Sequence, residues 1–320
     1  MNEFELIAKY FAPLAAQGAL DLKDDAAVLS IPTGDELVIT KDAMVAGVHF
    51  LPSDPLDLVA RKLLRVNLSD LAAKGARPAG YLLACCWPKD TSEQNIASFA
   101  RGLADDQGNY GIRLLGGDTT VTDGPLTFSL TALGTVQHGK MVHRSGARPG
   151  DRLFVTGTIG DAGLGLKIAR GESIGTTTEE STALVRCYEL PEPRLAYGIA
   201  ARELMLAAID VSDGLLADAG HIATTSRVSI VIEAHKLPLS DATRGWLARG
   251  GSIGFLATCG DDYEICFTAS GNAVPELQRA AACTDTLLTE IGRVEAGQGV
   301  RLIGSDGTEI SAGTQGYRHF

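Results

Sequence analysis

Short acidic motifs recur along the chain: Asp24-Asp25, Lys41-Asp42, Asn67-Leu-Ser-Asp70, Gly116-Gly-Asp118, Asp210-Val-Ser-Asp213, Gly260-Asp-Asp262 and Glu264. Most of them close an apolar stretch or stand beside glycine, where a strand or helix delivers a carboxylate to a cleft. Carboxylates gathered in one place repel and raise each other's pKa, so such a gathering is tolerable only around cations. Mg²⁺ ions and the phosphates they carry are the natural occupants of an all-oxygen site. The chemistry indicated is metal-assisted work on phosphates.

Each motif also has a plainer reading. On a helix starting at Leu56, the residues Val59, Ala60, Leu63, Leu64, Asn67, Leu68 and Leu71 form an apolar stripe, and Asp70 falls on the same side. A core-facing carboxylate is costly unless paired or metal-bound, and the alternative is an N-cap by Ser69 or Asp70. Asp210-Val-Ser-Asp-Gly214 ends an apolar strand and opens a helix. Ser212 or Asp213 could cap that helix, or the turn could present an amide to phosphate and a carboxylate to metal. Gly116-Gly-Asp-Thr-Thr120 reads either as a turn or as a close-approach backbone with an acid and hydroxyls. Separately these are caps and turns; together they indicate one site. Gly157-Thr-Ile-Gly-Asp-Ala-Gly163 is not a dinucleotide fingerprint, and its glycines suit close packing of helix on sheet. The chain contains no Walker A sequence. Of six histidines only His49 lies near an acidic motif, and no Ser/His/Asp or His/Cys arrangement supports a nucleophile.

The elements that must position these acids are read from periodicity. In the first half, strands are expected at Glu36–Thr40, Gly80–Trp87, Arg113–Leu115 and Leu126–Val136, and helices at Leu56–Ala73 and Gln94–Gly108. The strand at Leu126–Val136 alternates apolar and hydroxyl residues, and is expected to leave an edge that a second copy covers. The turn-rich stretch Arg144–Asp151 places a domain boundary near residue 150. Residues 1–150 are then an N-terminal domain, and 151–320 a C-terminal α/β domain. The second half reads as strands at Arg152–Thr156, Ala207–Val211, Ser229–Ile232, Tyr263–Thr268, Ile291–Val294 and Gly299–Ile303, with helices to Ala169, around Pro193–Leu206 and from Leu215. The fold class is α/β of the α+β type.

A chain of 320 residues is long enough for two cores. A net charge of −11 argues against nucleic acid or an anionic membrane as a partner, since either would be repelled. The six cysteines show no zinc spacing and most sit in apolar runs as reduced thiols. With no signal-peptide pattern and no membrane-length apolar run, the expected location is the cytoplasm.

Taken as an ordered set, Asp24-Asp-Ala-Ala-Val28, Thr40-Lys-Asp42, Gly47-Val-His-Phe50, Val66–Ala73, Gly116-Gly-Asp-Thr119, Arg144-Ser-Gly146, Asp210–Leu215, Gly260-Asp-Asp-Tyr-Glu264 and Gly316-Tyr-Arg-His-Phe320 resemble the thiamine-monophosphate kinases. The wider superfamily, which includes aminoimidazole ribonucleotide synthetase, shares the Asp motifs but not Gly-Val-His-Phe or the terminal Gly-Tyr-Arg-His-Phe. The resemblance implies ATP-dependent phosphorylation of thiamine monophosphate to thiamine diphosphate by direct γ-phosphoryl transfer with several Mg²⁺ ions. It also implies a homodimer formed through the N-terminal sheet, with residues 1–150 as its ATP/Mg-binding and dimerisation domain, and a C-terminal domain closing the cleft. Carried onto this chain, it implies metal ligation by Asp25, Thr40, Lys41, Asp42, Asp70, Asp118, Asp210 and Asp213. ATP would meet Tyr110, Gly117, Asp118, Arg144 and Ser212, and the thiamine substrate His49, Asp261 and Tyr317. No side chain is implied as a general base, since catalysis would rest on positioning and metal. Three positions depart from the family pattern: Lys23 stands for glycine, Lys41 for threonine, and Cys259-Gly-Asp261 for Gly-Gly-Glu. The alternatives are another ATP-dependent synthetase of the superfamily, or a nucleotide-binding scaffold without catalysis. A selenophosphate-type synthetase would carry an early reactive cysteine, and this chain has none before Cys85.

Overall fold

The computed structural model describes residues 2–311, so the terminal Gly-Tyr-Arg-His-Phe motif with Tyr317 lies outside the described residues. The chain divides into two units, Met1–Leu71 with Ala76–Gly139, and Ala72–Gly75 with Lys140–Phe320.

The first unit opens with α1 (Glu3–Leu6), held by a capping box between Asn2 and Glu5, and continues as β1 (Asp35–Val45), α2 (Leu56–Ala73), β2 (Arg77–Pro88), α3 (Glu93–Tyr110), β3 (Leu114–Thr122) and β4 (Thr127–Gln137). The strands form one sheet in the order β1-β4-β2-β3, antiparallel except for β2 beside β3. Period-2 alternation then sorts the side chains. Met44, Tyr81, Leu83, Trp87, Phe128, Leu130 and Ala132 turn to a buried face. The helices cover that face: Phe99 of α3 stacks on Phe128 at 4.1 Å, and Gln107 donates to the Tyr81 hydroxyl. The two helices approach closely at Gly102, where a β-carbon would sit 2.1 Å from the Asp57 carbonyl oxygen. The opposite face bears Leu37, Ile39 and Leu82, exposed by 40%, 61% and 42%. The strand expected to carry an open edge, Leu126–Val136, is instead internal, paired on both sides; β1 and β3 form the edges. Its hydroxyl residues make a face, and a face and an edge look alike in a single strand's sequence.

The second unit holds a six-stranded sheet in the order β10-β7-β9-β5-β8-β6. Its strands are β5 (Arg152–Thr156), β6 (Ala207–Asp210), β7 (Ser229–Glu233), β8 (Ile265–Ala269), β9 (Leu288–Glu295) and β10 (Gly299–Ile303). Its helices are α4 (Asp161–Ala169), α5 (Thr178–Glu189), α6 (Leu195–Ala201), α7 (Leu215–Ser226), α8 (Asp241–Ala248), α9 (Ile253–Thr258) and α10 (Val274–Cys283). The apolar side of α7, with Leu215, Ala219 and Ile222, shares a core with Val155, Ile209, Ile230 and Ile291. On the other side Phe154 stacks on Phe267, which Tyr197 meets at a tilt. Among the described residues no helix is long and apolar enough to cross a membrane.

Candidate active site

In the first unit the acids fall into two groups. At one corner β1 delivers Thr40 and Asp42 to the face covered by helices, where α2 delivers Asp70; Thr40 Oγ1 donates to Asp70 Oδ2 at 2.5 Å. The cap reading of Asp70 does not hold, because α2 runs unbroken through it and buries Ser69 completely. Burial, and next the neighbouring Asp70 carboxylate, push the Asp42 carboxyl up to about 7, with Lys41 partly offsetting them. Two acids held this close in a half-buried corner call for a cation. Lys41 is not that cation for this pair. It alternates to the opposite face, where its ammonium donates to Ser129 Oγ.

The second group lies at the far edge. Asp24, Asp25, Gly116, Gly117, Asp118 and Thr119 line a cavity of about 240 Å³ with Phe11, Leu83 and Cys85. Gly117 is needed for its close approach, since a β-carbon there would lie 1.8 Å from the Leu83 carbonyl oxygen. Asp118 pairs in register with Ala84, on the face that also carries Leu82, opposite to that of Asp42. Three strand spacings separate the β1 and β3 edges, about 14 Å. One sheet therefore does not bring Asp118 to the Asp42–Asp70 pair. Tyr110, at the end of α3, has its ring 5.4 Å from the Arg65 guanidinium, which Asp106 holds by a buried fork at 2.6 and 3.1 Å. His49 Nδ1 accepts from the Val45 amide at 3.1 Å, which leaves the ring proton on Nε2 in the neutral form.

In the second unit Asp210 ends β6, buried, and Ser212 and Asp213 follow, half-buried, in the turn before α7. Neither caps the helix: its cap is Gly214, with no side-chain bond. Asp218, which the sequence reading passed over, instead accepts from the Ser212 and Asp213 amides at 3.0 Å each. Burial and then Asp213 push its carboxyl up to about 7, against the pull of those amides. A lone acid one turn into a helix that opens after an acidic turn is the signal that would have found it. The turn is tied to the next motif, since the Asp261 amide donates to the Ser212 carbonyl and the Tyr263 amide to the Val211 carbonyl. Arg144 is exposed, with its carbonyl accepting from Thr225 Oγ1.

Two acids of the motif set are engaged structurally. Glu264 takes a fork from Arg194 at 2.7 and 2.5 Å and a bond from Thr156 Oγ1, and Asp262 accepts from the Gly160 and Ala162 amides. The glycines of the 157–163 loop do pack closely, but against helix α9 and the residue after it and not against the sheet: a β-carbon on Gly160 would press on Leu256 and one on Gly163 on Cys259.

Among the described residues no three His, Cys, Asp or Glu side chains converge tightly enough to hold a metal ion by themselves. The Asp42–Asp70 pair still fits Mg²⁺. It offers hard oxygen donors in mutual repulsion, and this ion commonly takes one or two carboxylates and completes its shell with water and phosphate.

The AIR synthase related protein N-terminal domain matches residues 23–136, and the AIR synthase related protein C-terminal domain matches 148–305. The fold and its paired acids thus define an AIR synthase related protein. The thiamine-monophosphate kinase of Caulobacter vibrioides is 47% identical over 325 residues, covering 99% of this chain and 91% of that one. That of Escherichia coli K12 is 41% identical over 331 residues, covering 100% and 98%. The crystal structure of thiamine-monophosphate kinase from Stenotrophomonas maltophilia superposes with a TM-score of 0.82 at 41% identity, over 90% of this chain and 91% of that one. AaThiL complexed with AMPPCP and TMP superposes at 0.79 with 30% identity, over 99% and 94%. The chain belongs to the thiamine-monophosphate kinase family.

Proposed function

We propose that this protein transfers the γ-phosphoryl group of ATP to thiamine monophosphate, giving thiamine diphosphate. The observation that carries the reading is the Asp42–Asp70 pair, two carboxylates near enough that Asp70 helps raise the Asp42 carboxyl. The full-length relatives name the reaction, and AaThiL was captured with AMPPCP and TMP.

Bound Mg²⁺ would neutralise charge on the transferring phosphoryl group and its two flanking oxygens. The ligands we assign are Asp25, the Thr40–Lys41–Asp42 segment, Asp70, Asp118, Asp210 and Asp213, with Lys41 contributing only its main-chain carbonyl because its side chain lies on the other face. Arg144, Gly117, Ser212 and Tyr110 bind ATP. His49, Asp261 and Tyr317 bind the thiamine substrate. The acceptor phosphate has a second pKa of about 6, so it is largely a dianion at neutral pH and needs no general base. The work left to the protein is to bring two polyanions together in line.

The functional unit we propose is a homodimer. A second copy laid across the face bearing Leu37, Ile39 and Leu82 buries those side chains. It also sets the β3 edge of one protomer, with Asp25 and Asp118, beside the β1 edge of the other, with Asp42 and Asp70. This removes the separation of about three strand spacings. Residues 1–150 then supply dimerisation and most metal ligands, residues 151–320 the rest, and six free thiols suit a reducing cytoplasm. The reading is tested by Asp70→Asn and Asp210→Asn: each should lower turnover by about a hundredfold or more, with the fold intact by circular dichroism. Near-normal turnover in both at saturating Mg²⁺ would refute it.

A further inference from the structure

The loop from Cys259 to Glu264 is bent in a way that needs a cause. Asp261 has φ +73° and Tyr263 φ +50°, two left-handed residues flanking Asp262. Left-handed backbone is strained for a non-glycine residue and persists only where the surroundings over-determine it. Here the surroundings do so from three sides. The Asp261 amide donates to the Ser212 carbonyl at 2.9 Å and the Tyr263 amide to the Val211 carbonyl at 2.7 Å. Gly260 presses against Ser212 so closely that a β-carbon would come within 2.4 Å of its carbonyl oxygen. Between the two strained residues, the buried Asp262 carboxylate turns inward and accepts from the Gly160 amide at 2.8 Å and the Ala162 amide at 3.3 Å, at the start of α4.

We infer that Asp262 is a positioning residue for substrate binding: its carboxylate pins the 259–264 loop to the first turn of α4, and so holds the Asp261 carboxylate, half-buried beside the Ser212 turn, where the substrate meets it. This rests on the proposed contact between Asp261 and the thiamine substrate. An interior tie that served stability alone would need no strained residue on either side. The strain also accounts for the residue type at 261. Aspartate is enriched several-fold among left-handed residues, so the shorter acid that stands here for the family's glutamate gives up a methylene of reach and suits the backbone that carries it. The α4 turn, the 259–264 loop and the Val211–Asp213 turn thereby become one mechanical piece, in which the pin touches no substrate.

The test combines Asp262→Asn, Asp261→Asn and the double variant. Asn keeps the shape but can accept at only one oxygen, so one α4 amide loses its partner. Hydrogen exchange on the intact protein, read without substrate, should accelerate in 259–264 and 211–213 and stay unchanged in the sheet core. In steady-state assays Asp262→Asn should raise KM for thiamine monophosphate about tenfold, with kcat within about threefold and a smaller rise in KM for ATP, which meets Ser212 on the loosened turn. The double variant should be no worse than Asp261→Asn, because both changes act through one carboxylate. Unchanged exchange overturns the pin. Faster exchange with an unchanged KM, or losses that add in the double variant, overturns its service to the substrate. If Asp262→Asn does not fold, Asp262→Ser, smaller and still an acceptor, takes its place in every arm. Absence of thiamine monophosphate phosphorylation by the unmutated protein would instead refute the proposed function, and the exchange arm would still decide the pin.

Discussion

Asp42→Asn removes one of two carboxylates held together at the corner of β1 and α2, and in metal-free protein that removal should stabilise the fold while abolishing activity. The Asp42 carboxyl moves from 3.8 to about 7 in the folded chain, chiefly through burial and then through Asp70. A carboxyl raised on folding costs stability above its folded value and nothing below its unfolded one, so at about pH 8 the cost is fully expressed. Three pKa units correspond to about 4 kcal/mol, and water reaching a half-buried group reduces this to about 1–2 kcal/mol. The hydrogen bond from Thr40 goes to Asp70 and survives the change. Calorimetry at that pH with chelator should therefore show the variant melting roughly 1.5–3 °C higher. Adding Mg²⁺ and ATP should raise the melting temperature of the unmutated protein, by mass action on the folded state, and barely move the variant. Turnover should fall about a hundredfold or more. A variant that melts lower without metal, or that keeps the full Mg²⁺ response, would refute the idea that this corner is strained in wait for a cation.

Lys41→Thr should change turnover by less than about tenfold, roughly 1.4 kcal/mol of barrier, since the ammonium bonds Ser129 on the other face; a large gain with a steeper Mg²⁺ dependence would show that the lysine displaces an ion. Asp106→Ala should lower stability by about 3–5 kcal/mol in urea titrations, because it removes the buried carboxylate that accepts from both Arg61 and Arg65; a loss below about 1 kcal/mol would contradict that burial. Ile39→Asp should convert a dimer into a monomer by light scattering across dilution, and a monomer mass for the unmutated chain at micromolar concentration would remove the proposed interface.

Much of the fold was legible because periodicity reports burial directly. Phe128, Leu130 and Ala132 alternate with Thr127, Ser129 and Thr131, and the structure buries the first set and half-exposes the second. The stripe on α2 likewise names its buried residues. Helices α5, α8, α9 and α10 escaped notice, although the caps Thr177, Ser240 and Ser252 announce three of them. In the site, the motifs name the acids but not their partners. Asp262 and Glu264 look like any strand-end acid in sequence, yet two amides and the Arg194 fork occupy them. The separation of Asp118 from Asp42 is likewise invisible along the chain. It follows from strand order and from which of two adjacent residues faces inward, and a strand order is set by contacts distant in sequence.

The central claim is direct phosphoryl transfer between two polyanions, and ATP labelled in its γ-phosphate tests it most directly. Incubated with Mg²⁺ and thiamine monophosphate, the protein should place the label in the terminal phosphate of thiamine diphosphate, one for each ADP released, with none passing through the protein and little released as inorganic phosphate. Label appearing as inorganic phosphate without thiamine diphosphate, or held covalently on the protein, would contradict the account.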